Sequence, residues 1–183
     1  MDIGLNGELS LILRYSRDEA MRTGYYGILP EHLLLGILRH RDNAACRAME
    51  AAGADIAKIK KELDARISRG WSVPYAEQDN INLTQEGNNA LSIAVARAQS
   101  LGEESVSPVH LLNSLLHCGS VVLDDVLRDA GIDASCLQGA STVTGDRNAA
   151  AERDGAMDRK VPSEQPGVHT FIYPYQTTQS GCS

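Results

Sequence analysis

Aromatic side chains are scarce in this sequence, since Phe, Trp and Tyr together supply only 4% of its 183 residues. Hydrophobic residues of all kinds still reach 43%, which is enough to form a buried core. That core must therefore consist mainly of Leu, Ile, Val, Ala and Met. A β-sandwich would use more aromatic and β-branched residues, whereas a composition rich in alanine and leucine favours helices.

An excess of basic residues is also missing, because 17 Lys and Arg face 24 Asp and Glu and leave a net charge of −7. Binding to nucleic-acid phosphates would need a basic surface, so we expect no nucleic-acid partner. No stretch approaches the roughly 18 apolar residues of a membrane span, so we expect no membrane association. Residues 1–4 lack the basic and apolar regions of a signal peptide, which predicts a cytoplasmic protein.

Motifs for catalysis or metal binding are absent from the sequence. It contains no G-x-x-x-x-G-K-[ST] phosphate loop, no G-x-S-x-G elbow and no H-E-x-x-H zinc motif. The four cysteines are scattered without a C-x-x-C pair, which predicts reduced thiols. They are Cys46, Cys118, Cys136 and Cys182. We therefore predict no enzymatic activity, no cofactor and no metal.

The most informative feature present is an internal repeat, because residues 4–59 match residues 82–137 without a gap. Pro30 and His32 recur as Pro108 and His110, at a constant shift of 78 positions. A shared register over so long a stretch indicates a folded unit used twice, rather than a short solenoid repeat. Further identical pairs are Leu5 and Leu83, Glu8 and Glu86, Leu13 and Leu91, Ala20 and Ala98, Gly24 and Gly102, Leu38 and Leu116, and Gly53 and Gly131.

Each copy is predicted to form four helices, which defines an all-α fold with a duplicated four-helix repeat. Apolar residues at helical spacing, capping residues before them and glycines after them mark the boundaries. The predicted helices run from Asn6 to about Arg22, from Pro30, over about 43–52 and over about 56–69 in the first copy. Their counterparts run from Thr84 to about Leu101, from Pro108, over about 120–130 and from Asp133 in the second copy.

The second helices are predicted to bury two leucine-rich stripes, which are Leu33, Leu34, Ile37 and Leu38, and Leu111, Leu112, Leu115 and Leu116. His32 and His110 lie in the first turns of the same helices. Neither has a second metal ligand three or four positions away. We interpret both as structural histidines that form hydrogen bonds near the helix start.

The domain organisation follows from these patterns. We predict one domain over residues 1–138, with repeat 1 at about 4–69, a linker at 70–83 that packs on the surface, and repeat 2 at about 84–138. Residues 139–183 are rich in glycine and polar residues and are predicted to be a disordered tail. Near its end, Phe171, Tyr173 and Tyr175 indicate either a passive end of the tail or a docking peptide for a partner.

The segment Glu31-His32-Leu33-Leu34-Leu35-Gly36-Ile37-Leu38, followed by a helix and Ala52-Gly53, resembles the Clp amino-terminal repeat. Thr84, Gly102, Pro108 and His110-Leu111-Leu112 resemble the second repeat of the same domain. The resemblance covers about residues 4–138. It implies a pseudo-twofold bundle of about eight helices that precedes the ATPase rings of unfoldases such as ClpC and ClpA. In that family the domain receives substrates and adaptors and has no catalysis of its own.

The resemblance also singles out Glu31. In ClpC-like members, the glutamate of each E-H-[IL]-L-L-G motif helps to bind phosphoarginine, and Glu31 matches the first such position. Val109 stands at the second position and cannot pair with a guanidinium group, so such recognition would be halved or lost. The alternative is that Glu31 is only a first-turn acid that interacts favourably with the helix dipole.

The resemblance predicts a free-standing, non-catalytic module, because no ATPase module follows Leu137. It would act as an adaptor or regulator that docks substrates or partners for a Clp-type AAA+ unfoldase or protease. One alternative is an accessory structural subunit that binds the Clp peptidase ring, with residues 171–175 as its anchor. An enzyme and a degenerate remnant of a longer unfoldase are the other hypotheses. The sequence predicts no particular oligomeric state.

Overall fold

The computed structural model describes residues 4–133. Within this range it contains seven α-helices, one 3₁₀ helix and four strands of two residues each. The α-helices are α1 (Gly7–Thr23), α2 (Pro30–Arg39), α3 (Ala44–Ala51), α4 (Ile56–Ile67), α5 (Gln85–Ser100), α6 (Pro108–Leu115) and α7 (Val121–Asp129). The strands are β1 (Gly4–Leu5), β2 (Gly27–Ile28), β3 (Asn82–Leu83) and β4 (Ser105–Val106), and the 3₁₀ helix is Tyr75–Asn80.

The duplicated all-α architecture is confirmed, because the shift of 78 positions places α1, α2 and α3 on α5, α6 and α7. The caps also follow the prediction. The Asn6 side chain accepts a hydrogen bond from the Leu9 N–H at 2.7 Å, and Thr84 accepts one from the Gly87 N–H at 3.2 Å. The helix predicted to begin at Asp133 lies beyond the described residues.

The four strands were not predicted, and they join the two repeats. β1 pairs in parallel with β4, and β2 pairs in parallel with β3. In the first pair Leu5 faces Val106, and in the second pair Ile28 faces Leu83. The shift of 78 positions converts β1 into β3 and β2 into β4, so the two pairs are equivalent. Each repeat therefore completes the small sheet of the other, which is the arrangement that a pseudo-twofold axis requires.

The helices pack both within and between the repeats. α1 packs on α2 and α5 packs on α6, while α3 contacts α6 and α2 contacts α7 across the repeat boundary. The aliphatic core is confirmed, and the predicted stripes lie at its centre. Leu116 is the one member of the stripes that stays only partly buried. The core of each repeat thus depends on helices from the other.

A glycine allows the close approach of α1 and α2. A Cβ atom at Gly36 would lie 2.2 Å from Ser16 Oγ and 2.7 Å from the Ile12 carbonyl oxygen. At the equivalent positions of the second repeat stand Ser114 and Ala94. The serine therefore lies on the first helix of the pair in one repeat and on the second helix in the other. The facing position is glycine or alanine in both repeats.

The linker packs against the first repeat. The Arg69 N–H donates to the Thr23 carbonyl at 3.1 Å, and the Val73 N–H donates to the Met21 carbonyl at 2.9 Å. Val73 is buried in the core. The 3₁₀ helix that follows was not predicted. The two backbone hydrogen bonds fix the first part of the linker along the end of α1.

Candidate functional site

Glu31 lies where the two repeats meet. It occupies the first turn of α2 and is only 8% exposed. The Ser120 hydroxyl donates a hydrogen bond to Glu31 Oε1 at 2.5 Å, although 89 residues separate the two. Ser120 is also the N-cap of α7, where its oxygen accepts from the Leu123 N–H at 3.4 Å. The carboxylate therefore lies beside the amino-terminal ends of two helices from different repeats.

Glu31 has no cationic partner among residues 4–133. The other buried glutamate, Glu19, forms ion pairs with two arginines. Its carboxylate lies 2.7 Å from the Arg22 guanidinium and 3.3 Å from that of Arg39. A carboxylate shielded from water without a cation is costly unless other groups satisfy it. One hydroxyl bonds Glu31 Oε1, so the chemistry of the site favours a ligand with positive hydrogen-bond donors.

The start of α2 is held in place by His32. Its Nδ1 accepts a hydrogen bond from the Leu29 N–H at 3.0 Å, and its Nε2 lies 2.9 Å from Thr23 Oγ1. These partners require a proton on Nε2 and none on Nδ1. Burial, together with the nearby Arg22, lowers the pKa of His32 to about 4. The predicted structural role of this histidine is confirmed, and Pro30 beside it supplies the first helical residue.

His110 takes the same place in α6, but only half of its arrangement is repeated. Its Nδ1 accepts from the Ser107 N–H at 3.1 Å, which confirms the structural interpretation here too. Its buried Nε2 has no hydrogen-bond partner among residues 4–133 and lies 3.5 Å from Glu103 Oε1. Leu101 stands at the position equivalent to Thr23. Burial lowers the pKa of His110, while Glu103 acts in the opposite direction.

The part of the second repeat that the structure describes has no counterpart of the Glu31 site. Val109 is buried at the position equivalent to Glu31. Asp42, the equivalent of Ser120, is exposed and pairs with Arg47 at 2.8 Å. The pair of a buried carboxylate and a hydroxyl is therefore present once in the described part of the chain.

Sequence reasoning did not identify Ser120 as the partner of Glu31. Its place before the apolar residues of α7 marks it as a helix cap, but nothing in the sequence shows which distant side chain it meets. Phe171, Tyr173 and Tyr175 lie outside the described residues. Between residues 4 and 133, no helix is long and apolar enough to cross a membrane.

These features define a class of duplicated helical domain whose two halves exchange strands around a shared aliphatic core. The chain belongs to the family of the Clp repeat (R) N-terminal domain, whose family model matches residues 5–135. The expected family and fold are thereby confirmed.

Curated relatives agree with this assignment. The chain is 31% identical over 121 residues to the negative regulator of genetic competence ClpC/MecB of Bacillus subtilis, covering 66% of this chain and 14% of the relative. It is 26% identical over 161 residues to the chaperone protein ClpB of Oceanobacillus iheyensis, covering 87% of this chain and 19% of the relative. The chain thus spans less than a fifth of the length of these relatives.

Solved structures show the same fold. The N-terminal domain of the ClpV1 ATPase from E. coli EAEC is 25% identical with a TM-score of 0.61, covering 75% of this chain and 83% of that one. The Hsp104 N-terminal domain from Candida albicans is 14% identical with a TM-score of 0.62, covering 76% of this chain and 90% of that one.

Proposed function

We propose that this chain is a non-catalytic protein-docking module that brings substrates or partners to a Clp-type AAA+ unfoldase or protease. It acts as an adaptor or regulator in the cytoplasm and makes or breaks no covalent bond. Family membership supports a role in protein binding, since relatives carry the names of Clp chaperones and of ATP-binding subunits of the Clp protease.

The observation that carries the proposal is the buried Glu31 carboxylate, which has no cation beside it among residues 4–133. A guanidinium group offers several N–H donors in a planar array and pairs with a carboxylate through charge-assisted hydrogen bonds. An arginine side chain of a docked protein, or its phosphorylated form, therefore fits Glu31. Ser120 orients the carboxylate from the opposite repeat. Because Val109 replaces the second glutamate, the module offers one such site per chain.

Calorimetric titration with a phosphoarginine peptide tests this proposal. We expect weak, saturable binding with one site per chain. Glu31→Ala should abolish it, and Glu31→Gln should weaken it by about tenfold or more, because the amide keeps the shape but loses the charge. The matched control is Glu86→Gln, which removes an exposed first-turn acid from α5 and should leave binding unchanged.

The same variants separate the two roles of Glu31. If Glu31 only stabilises the start of α2, Glu31→Gln would lower the free energy of unfolding and leave peptide binding as strong as in the wild type. That result would refute the docking role of this residue.

A further inference from the structure

A second exposed surface lies where the linker crosses the end of α1. We define the linker surface as Tyr26, Arg69 and Trp71. Tyr26 is 56% exposed and Trp71 is 47% exposed, and their ring centroids lie 6.2 Å apart at an angle of 45°. Large aromatic side chains are rare in this chain and well suited to protein contacts. Two of them therefore meet at the surface rather than in the core.

The exposure of Trp71 is fixed by its surroundings. The backbone hydrogen bonds of Arg69 and Val73 to α1 lie two residues before and after it. Gly24, at the end of α1, lets the indole pack closely, because a Cβ atom there would lie 3.2 Å from the ring. The left-handed φ of 87° at Gly24 also favours glycine. The outer part of the indole is thus held in water by an ordered segment.

Arg69 adds a cation of fixed position to this surface. Its guanidinium carbon lies 3.9 Å from the centroid of the Tyr25 ring. Tyr25 in turn packs edge-on against His32, with ring centroids 4.9 Å apart. No carboxylate within residues 4–133 pairs with Arg69, whereas Arg22 is bound by Glu19 and Asp64. Stacking therefore orders the guanidinium while its N–H donors stay available.

We propose that the linker surface binds an extended segment of a partner protein in which an apolar side chain, leucine or proline, stands next to an aspartate or glutamate. The apolar side chain covers Trp71 and Tyr26, and the carboxylate accepts hydrogen bonds from Arg69. The charge of Arg69 argues for this occupant, because a basic segment would be repelled. The inference rests on the proposed protein-docking role and adds a second surface, whose ligand has the opposite charge to that of Glu31.

Trp71 is the sole tryptophan of the chain, so its fluorescence reports directly on this surface. The probe is the acidic peptide Gly-Ser-Leu-Asp-Pro-Leu-Asp-Ser-Gly, compared with a peptide in which lysine replaces both aspartates. We expect a saturable blue shift with the acidic peptide and binding at least about tenfold weaker with the lysine peptide. Arg69→Gln should weaken binding of the acidic peptide by a similar factor, and Tyr26→Ala should also weaken it.

Two control variants make the result specific. Ile93→Ala removes an exposed apolar side chain from α5 and should leave the titration unchanged. Glu31→Gln should also leave it unchanged. A wild-type chain that does not bind the phosphoarginine peptide but keeps the Trp71 titration would therefore contradict only the first docking site.

Three outcomes would overturn the proposal. These are equal shifts with the acidic and lysine peptides, equal affinity of Arg69→Gln and wild type, and a shift that grows with protein concentration without peptide. The last outcome would assign the surface to contacts between two copies of this chain.

Discussion

At the scale of single residues, the two repeats use the same histidine with different partners. His32 and His110 both accept a backbone N–H at the start of a helix, but within residues 4–133 only His32 has a hydroxyl beside its second nitrogen. The equivalent positions 31 and 109 also differ, because Glu31 accepts a hydrogen bond from Ser120 whereas Val109 has no polar side chain. Both repeats keep the proline and the histidine at the start of the second helix, whereas the residue between them differs.

The buried His32 predicts that stability falls in acid. Its pKa is about 4 in the folded chain and 6.5 for an unperturbed histidine. Its contribution is therefore fully present above pH about 6.5 and is lost as the pH falls towards about 4, because the unfolded chain binds the proton more readily. The shift corresponds to about 3 kcal/mol. The burial that lowers the pKa of His110 acts in the same direction.

Urea unfolding at pH about 7.5 and about 4.5 measures this effect. Carboxylates also titrate in this range, so the useful quantity is the difference between the wild type and His32→Gln. We expect that difference in unfolding free energy to shrink markedly at the lower pH, because the wild type alone loses the contribution of His32. A difference that stays constant would show that His32 does not titrate as described. His40→Gln, at a partly exposed position, serves as the control.

At the scale of elements, the close pairs α1–α2 and α5–α6 show two solutions to one packing problem. The first combines Ser16 with Gly36, and the second combines Ala94 with Ser114. In the first repeat the Ser16 hydroxyl donates to the Ile12 carbonyl at 2.8 Å. In the second, the Ser114 hydroxyl donates to the Leu111 carbonyl at 2.7 Å. In each repeat, the serine hydroxyl donates to a carbonyl of its own helix, and the facing position on the other helix is glycine or alanine.

This pattern predicts a compensating pair of substitutions. Gly36→Ser alone should destabilise the chain by about 1–3 kcal/mol, because its Cβ meets Ser16 Oγ and the Ile12 carbonyl. Adding Ser16→Ala reproduces the arrangement of the second repeat and should recover part of that loss. Urea unfolding of the two single variants and the double variant gives the coupling energy.

The control for this cycle is Gly7→Ala, since a Cβ atom at Gly7 meets no other atom within 4 Å. It should change stability far less than Gly36→Ser. Additive effects of Gly36→Ser and Ser16→Ala would contradict the compensation.

The sequence allowed the helices to be predicted because their signals are local. Caps such as Asn6 and Thr84, and glycines after the helices, lie next to the elements that they define. The strands are two residues long and pair with partners far along the chain, so no periodicity marks them. The bond between Ser120 and Glu31 and the contact between Tyr26 and Trp71 were missed for the same reason. Each is a tertiary contact that no local pattern encodes.

At the scale of the whole molecule, the exchanged strands and the crossed packing of α3 on α6 and α2 on α7 make the repeats interdependent. Two homologous halves could in principle unfold one after the other. Here each half lacks part of its sheet and core without its partner. We therefore expect the two repeats to unfold in a single cooperative transition.

Leu115→Ala tests this expectation, because Leu115 is fully buried in the second repeat whereas Trp71 packs on the first. The loss of a buried leucine side chain should cost about 2–5 kcal/mol. If the repeats unfold together, the urea midpoint reported by Trp71 fluorescence should fall as far as the midpoint reported by helical circular dichroism. An unchanged Trp71 midpoint with a split circular dichroism transition would show that the repeats unfold independently. Ile93→Ala, an exposed change in the second repeat, should leave both midpoints nearly unaffected.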